Sequence, residues 1–134
     1  MRKNMQQLEK EIEDDLTELQ DQMSQYVFLI ECGMELPKYP EQYRTEENLI
    51  RECQVKTWIY TKFEEGRLRF YADSEALIIR GALSLLAEIY SGRSREEVER
   101  FHCTLVKKEF FRIHYTQEQM DGLLAILRKL ENGN

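Results

Sequence analysis

Two stretches rich in Val, Ile, Thr, Trp, Tyr and Phe, Gln54 to Phe63 and Arg67 to Ala72, are separated by Glu64-Glu65-Gly66 and flanked on both sides by segments of helical period. Such residues favour a pleated, half-buried backbone, and a turn this short joins antiparallel neighbours, so a β-hairpin is predicted. Helices segregated before and after one antiparallel strand pair make the chain α+β rather than a series of βαβ units. One further short strand is expected without an assigned place, giving a small sheet of about three strands packed against N- and C-terminal helices. With 134 residues the chain is read as a single domain over 1–134, large enough to bury a core without disulfides or a metal.

From Met5 the apolar positions Leu8, Ile12, Leu16, Leu19, Met23, Tyr26, Val27, Ile30 and Met34 fall three and four apart. That spacing puts one stripe on a long amphipathic helix, whole or broken, ending at Gly33 and Pro37. A short coiled coil is the alternative, but the stripe covers few heptads. Leu36 to Arg44 holds both prolines, Pro37 and Pro40, alternating with Tyr39 and Tyr43, and reads as a loop with aromatic anchors. Asp73 or Ser74 is placed to cap a helix over Glu75 to Tyr90, which Gly92 ends. Ser94-Arg95-Glu96-Glu97 and Thr116-Gln117-Glu118-Gln119 are capping-box sequences, the first opening a short helix towards Phe101 and the second a C-terminal helix closing near Gly133. Gly81 lies inside a predicted helix, where glycine costs about 1 kcal/mol against alanine; close packing of another element is the expected compensation.

Several function classes are disfavoured. The net charge is −6 and the basic residues are interleaved with acids, as in Arg95-Glu96-Glu97, which suits neither nucleic acid nor an anionic membrane surface. Met1 to Asp15 is polar and carries no apolar signal region, so a cytoplasmic location is expected. The apolar run from Ala76 to Tyr90 is too short to span a bilayer and is interrupted by Arg80 and Glu88. The glycines lie singly, without a phosphate-cradling loop. Acidic pairs such as Asp14-Asp15 and Glu46-Glu47 read as solvated faces. Cys32, Cys53 and Cys103 are odd in number and widely spaced, which suits free thiols in a reducing compartment.

Cys53 lies where a polar segment, Asn48-Leu49-Ile50-Arg51-Glu52, runs into the first predicted strand. The thiolate is the nucleophilic form of cysteine; Arg51 and Lys56 favour it and Glu52 opposes it. His102 and His114 are the available bases, both far along the chain, and each reads more simply as an ordinary loop or half-buried histidine. A scaffold binding metal through Cys53, Cys103 and His114 is a minor reading, since no paired Cys-x-x-Cys spacing supports it.

Asn48, Ile50, Cys53, Gln54 and Trp58 match Asn-x-Val-x-Gly-Cys-Gln-Ser-x-Val-Trp, the reactive-cysteine segment of the SufE-type cysteine desulfuration proteins, and the chain resembles that family. Tyr26 to Leu36 before Pro37 is similar to its Tyr-x-x-Leu-Ile-Glu-Leu-Gly stretch, and Tyr43-Arg44-Thr45-Glu46-Glu47-Asn48 also fits. Ala72-Asp73-Ser74-Glu75-Ala76 with Gly81 resembles its Asp-Ser-Asp helix start, and Tyr90-Ser91-Gly92-Arg93 its following turn. The resemblance implies a SufE/IscU-like fold and a sulfur carrier that takes persulfide sulfur from a SufS-type cysteine desulfurase onto Cys53 and feeds an iron-sulfur scaffold. It further implies that the chain needs no cofactor of its own, pyridoxal phosphate staying on the desulfurase, and works as a monomer or weak homodimer. Arg51, Gln54, Trp58, Asp73 and Ser74 are the residues expected to bind the partner or support the cysteine loop.

Three positions depart from the family pattern. Glu52 replaces glycine before the cysteine, which removes easy access to positive φ and adds a carboxylate beside the thiolate. Val55 replaces a serine, and Gln119 replaces the arginine of Leu-Ser-Pro-x-Arg-Ser-x-Gly, here Tyr115 to Gly122. These departures define a second expectation from another class: a divergent adaptor that binds and modulates a desulfurase without carrying sulfur.

Overall fold

In the computed structural model, which describes residues 2–132, the chain runs α1 (Met5–Glu18), α2 (Gln22–Met34), two single 3₁₀ turns (Glu41–Tyr43 and Glu46–Asn48) and β1 (Thr57–Glu64). It continues through β2 (Arg67–Ser74), α3 (Leu77–Tyr90), α4 (Arg95–Arg100), a 3₁₀ turn (Leu105–Lys107), α5 (Glu109–Arg112) and α6 (Gln117–Glu131). The α+β class and the hairpin stand. β1 and β2 pair antiparallel from Thr57↔Ser74 to Glu64↔Arg67. The two residues between them, Glu65 and Gly66, have φ of 54° and 77°. That is the type I′ combination, whose twist matches the strands it joins. Among the described residues the sheet has two strands rather than about three. In place of a third strand stand two isolated bridges, Leu49↔Trp58 and Arg67↔Ser94. β1 begins at Thr57 rather than Gln54, because residues 51–56 form a turn before it.

The long N-terminal segment is broken between Glu18 and Gln22, and the break resets which face is inside. α1 buries Met5, Ile12 and Leu16, as its stripe predicts. α2 buries Gln25, Leu29 and Gly33 instead, while Met23, Tyr26, Val27 and Met34 of the sequence stripe are exposed. The buried Gln25 amide explains the corner: its Nε2 donates to Leu16 O at 3.1 Å and Leu19 O at 3.0 Å, satisfying carbonyls left over at the end of α1. Asp21 caps α2 by accepting from Ser24 N at 2.8 Å.

Gly33 is therefore not a helix terminator. It lies within α2, and with Gly81 of α3 it lets the two helices approach backbone to backbone. A Cβ at Gly81 would fall 2.2 Å from Leu29 O, and one at Gly33 would fall 2.6 Å from Leu77 O. α3 is the centre of the molecule, with Ile79, Leu83, Leu86 and Ile89 fully buried between α2 on one side and β2 on another. Both capping boxes form, Ser94 with Glu97 and Thr116 with Gln119. Asp73 and Ser74 do not cap α3; they end β2, and α3 begins after Ala76 without a side-chain cap. Gly92 ends α3 with φ of 78°, its N–H donating to Leu68 O at 2.8 Å. α6 closes at Glu131; Gly133, where the sequence places its end, lies outside the described residues.

Candidate functional site

Two clamps hold the segment carrying Cys53. At its start Ile50, whose side chain is buried, donates its N–H to Thr57 O at 2.8 Å. At its end Glu75 N donates to Lys56 O at 2.9 Å, and the Glu75 carboxylate accepts from Lys56 N at 3.4 Å. Residues 51–56 are thus a short loop with pinned ends, and Cys53 N turns back onto Ile50 O at 3.1 Å. The Cys53 thiol is half-buried and packs on α6, where Gly122 makes room for it: a Cβ at Gly122 would fall 2.1 Å from Sγ. On its other side opens a depression of about 280 Å³ lined by Glu46, Leu49, Arg51, Gln54, Val55 and Lys56. The sulfur is sheltered by helix on one side and reachable on the other.

Burial pushes the Cys53 thiol above the ordinary cysteine value, a hydrogen bond with Thr57 draws it back down, and the Glu52 carboxylate adds a smaller push upward. The sequence reading leaves the charge balance mixed, Arg51 and Lys56 favouring the thiolate and Glu52 opposing it; in the fold Arg51 and Lys56 are both exposed, and burial is the largest influence on the thiol. The glycine-to-Glu52 departure costs no backbone strain, since Glu65 is the one non-glycine with positive φ among the described residues. The Glu52 carboxylate also has a counter-ion, Arg128 of α6, at 3.9 Å.

Of the predicted supporting residues, Arg51 and Gln54 line the depression beside Cys53. Trp58 is buried behind the loop, its ring 4.5 Å from the Arg44 guanidinium. Arg44 in turn pairs with Asp73 at 3.0 Å and with Glu41 at 3.2 Å, so Asp73 acts through Arg44 rather than at a helix cap. This fastens the segment before the loop to the root of the hairpin, helped by Tyr39, which is buried and donates to Tyr43 O, and by Tyr43 stacked on Tyr60 at 3.8 Å. Ser74 is buried and shares a 2.8 Å hydrogen bond with the Thr57 hydroxyl. Gln119, standing where the family has arginine, is spent on the cap of α6, its Oε1 accepting from Thr116 N at 2.9 Å.

The histidines and other thiols are placed elsewhere. His114 Nε2 lies 2.9 Å from Gln25 Oε1, and His102 is exposed with Nδ1 3.7 Å from Glu131. Burial raises Cys32 to about 11 and Cys103 to about 12, and Cys103 faces Glu9. Cys53, Cys103 and His114 are not gathered together, and among the described residues no group of three or more His, Cys, Asp or Glu could hold a metal ion. No described helix is long and apolar enough to cross a membrane.

Sequence reasoning missed Thr57, Gly122, Arg44 and Arg128. Gly122 had the signal that marked Gly81, a glycine inside a helix; Thr57 had none, being an ordinary strand residue by propensity. Gly122→Ala tests the seat. Sγ is the end of a movable side chain, so the added methyl is expected to displace the thiol rather than unfold the protein. An aromatic disulfide reagent should then react with Cys53 several-fold faster, with little change in melting temperature; an unchanged rate would show that the sulfur does not rest on α6.

The SufE family model, described as an Fe-S metabolism associated domain, matches residues 10–133. An uncharacterized SufE-like protein of Rhizobium meliloti strain 1021 is 29% identical over 127 residues, 91% of each chain. A protein of Wigglesworthia glossinidia brevipalpis named cysteine desulfuration protein SufE is 31% identical over 106 residues, 75% of this chain and 72% of that one. The solution structure of a hypothetical protein from Thermus thermophilus superposes with a TM-score of 0.76 at 22% identity, covering 93% of this chain and 91% of that one, and shares the fold.

Proposed function

Because the chain belongs to the SufE family of Fe-S metabolism associated proteins, we propose that it accepts sulfane sulfur on Cys53 from a pyridoxal-phosphate cysteine desulfurase and passes it towards iron-sulfur cluster assembly. The observation that carries the reading is the setting of Cys53: a thiol on a loop with clamped ends, sheltered on α6 and open on the side of the depression. In the first step the Cys53 thiolate attacks the terminal sulfur of the desulfurase persulfide. A new S–S bond forms at Cys53, the old one breaks, and its electron pair leaves with the desulfurase thiolate. In the second step an acceptor thiolate attacks the outer sulfur and Cys53 leaves as thiolate. The pyridoxal phosphate belongs to the desulfurase, and the fate of the sulfur is delivery to a cluster scaffold. The half-burial of Cys53 suits a carrier, because an exposed persulfide is open to oxidation and reduction by small molecules.

The test is mass spectrometry of the protein after incubation with a desulfurase and L-cysteine. Added sulfur that maps to the Cys53 peptide and disappears on reduction is the expected result; a Cys53 peptide of unchanged mass sinks the carrier reading.

A further inference from the structure

Glu52 stands where the family pattern has glycine, and its side chain reaches another element. The carboxylate lies 3.9 Å from Arg128 Nη2 on α6, the helix on which the neighbouring Cys53 sulfur rests through Gly122. Two adjacent loop residues thus meet one helix at Gly122 and Arg128, about 9 Å apart along its axis at a rise of about 1.5 Å per residue. Between loop and helix runs a cleft of about 380 Å³ lined by Glu47, Arg51, Glu52, Ala125, Arg128 and Lys129, and the ion pair joins its two walls.

Arg128 has no better partner on its own helix. Leu124 and Ala125, one turn before it, carry no acid, and the Glu131 carboxylate after it lies 3.7 Å from His102 Nδ1. Its guanidinium serves the loop instead. The clamps at Ile50 N on Thr57 O and Glu75 N on Lys56 O fix both ends of that loop, so the residues between them move chiefly by tilting off α6. A sulfur resting on a glycine resists such tilting weakly; an ion pair beside it resists more. With side chains 63% and 48% exposed, the pair is open to screening by salt.

We infer that the Glu52–Arg128 pair is a positioning device of this chain, holding the Cys53 loop on α6 and the thiol on its seat at Gly122; its bearing on sulfur transfer rests on Cys53 being the acceptor. A glycine at position 52 has no side chain with which to do this. The carboxylate that opposes the thiolate in the sequence therefore restrains access to the thiol in the fold. One exposed pair changes an equilibrium by a factor of a few, so the device tunes that access rather than blocking it.

The test is alkylation of Cys53 by iodoacetamide, an uncharged reagent, followed across pH on the Cys53 peptide by mass spectrometry. Wild type, Arg128→Gln, Glu52→Gln and the double variant are compared, with a thermal melt of each. Charge and position separate on such a profile: the inflection reports ionisation of the thiol, and the plateau above it, where the thiol is fully ionised, reports access. Each single variant is expected to raise the plateau about threefold at low salt, and the double variant no further, because all three lose one shared interaction. The inflections should part, upward in Arg128→Gln, where the Glu52 charge is left beside the thiol, and downward in Glu52→Gln, where it is removed. In about 1 M NaCl, where the Debye length is about 3 Å, the wild-type plateau should rise to that of the variants. Melting midpoints should stay within about 2 °C of wild type, as for other exposed substitutions. An Arg128→Gln plateau equal to wild type, or gains that multiply in the double variant, overturns the inference. Alkylation needs no desulfurase, so a wild type that gains no sulfur on Cys53 defeats the carrier reading alone, and an unmoved plateau defeats this inference alone.

Discussion

Gly81→Ala is expected to destabilise the protein by about 3 kcal/mol or more, a large part of the 5–15 kcal/mol that holds a domain together. Helix propensity alone predicts the reverse, since alanine is favoured over glycine by about 1 kcal/mol inside a helix. The contact decides. The new Cβ would sit 2.2 Å from Leu29 O and 2.9 Å from Leu29 C, both backbone atoms of α2 that no side-chain rotation can move. Relief requires α2 to draw away from α3, opening the layer where Leu29, Ile78, Ala82 and Leu85 are buried. Overpacking with side-chain relief costs about 1–3 kcal/mol, and a rigid backbone partner puts this case at or above the top of that range. A thermal melt should show the midpoint lowered by roughly 10 °C, at about 4 °C per kcal/mol for a chain of this size. A midpoint equal to or above wild type would mean that α2 and α3 do not cross at these glycines.

Cys53→Ser is expected to bring sulfur loading to background while leaving the fold intact. Serine has nearly the shape of cysteine and the site is only half-buried, so neither cavity nor clash arises. Its hydroxyl cannot hold sulfane sulfur, so a desulfurase supplied with L-cysteine should leave the variant's mass unchanged. Stimulation of that desulfurase, measured as sulfide or alanine produced under reducing conditions, should vanish with it. Stimulation that survives in the serine variant would favour the adaptor, a partner that acts through its surface. The main sequence ground for the adaptor, Glu52 beside the thiol, is weaker in the fold than in the sequence, because Arg128 faces that carboxylate and no positive φ is required of it.

The hairpin, both capping boxes and the exposed turn at Glu65-Gly66 were legible because each depends on residues a few positions apart, and the close packing at Gly81 because a glycine inside a helix marks it even though its partner, Leu29, is remote in sequence. Reading one apolar stripe through Met5 to Met34 failed at α2 for a physical reason: three residues outside the helix rotate the next one about its axis, and the inner face became Gln25, Leu29 and Gly33. A buried glutamine and a buried glycine carry no hydrophobic signal, yet one closes the end of α1 and the other admits α3. Ser74 illustrates the same limit. As a sequence letter it resembles a helix cap, but in the fold its hydroxyl accepts from Ala76 N and meets Thr57 across the hairpin.

The sequence by itself determined the order of helices and strands, the loop that bears Cys53 and the family to which these motifs belong, since turn geometry, capping and strand propensity act over short distances along the chain. Only the tertiary structure decided that the sulfur rests on Gly122, that Arg128 answers Glu52 and that the buried Thr57 hydroxyl meets Ser74 across the hairpin. Those relations depend on α6 and β2 docking against a loop remote from them in sequence, and on the desolvation that docking imposes.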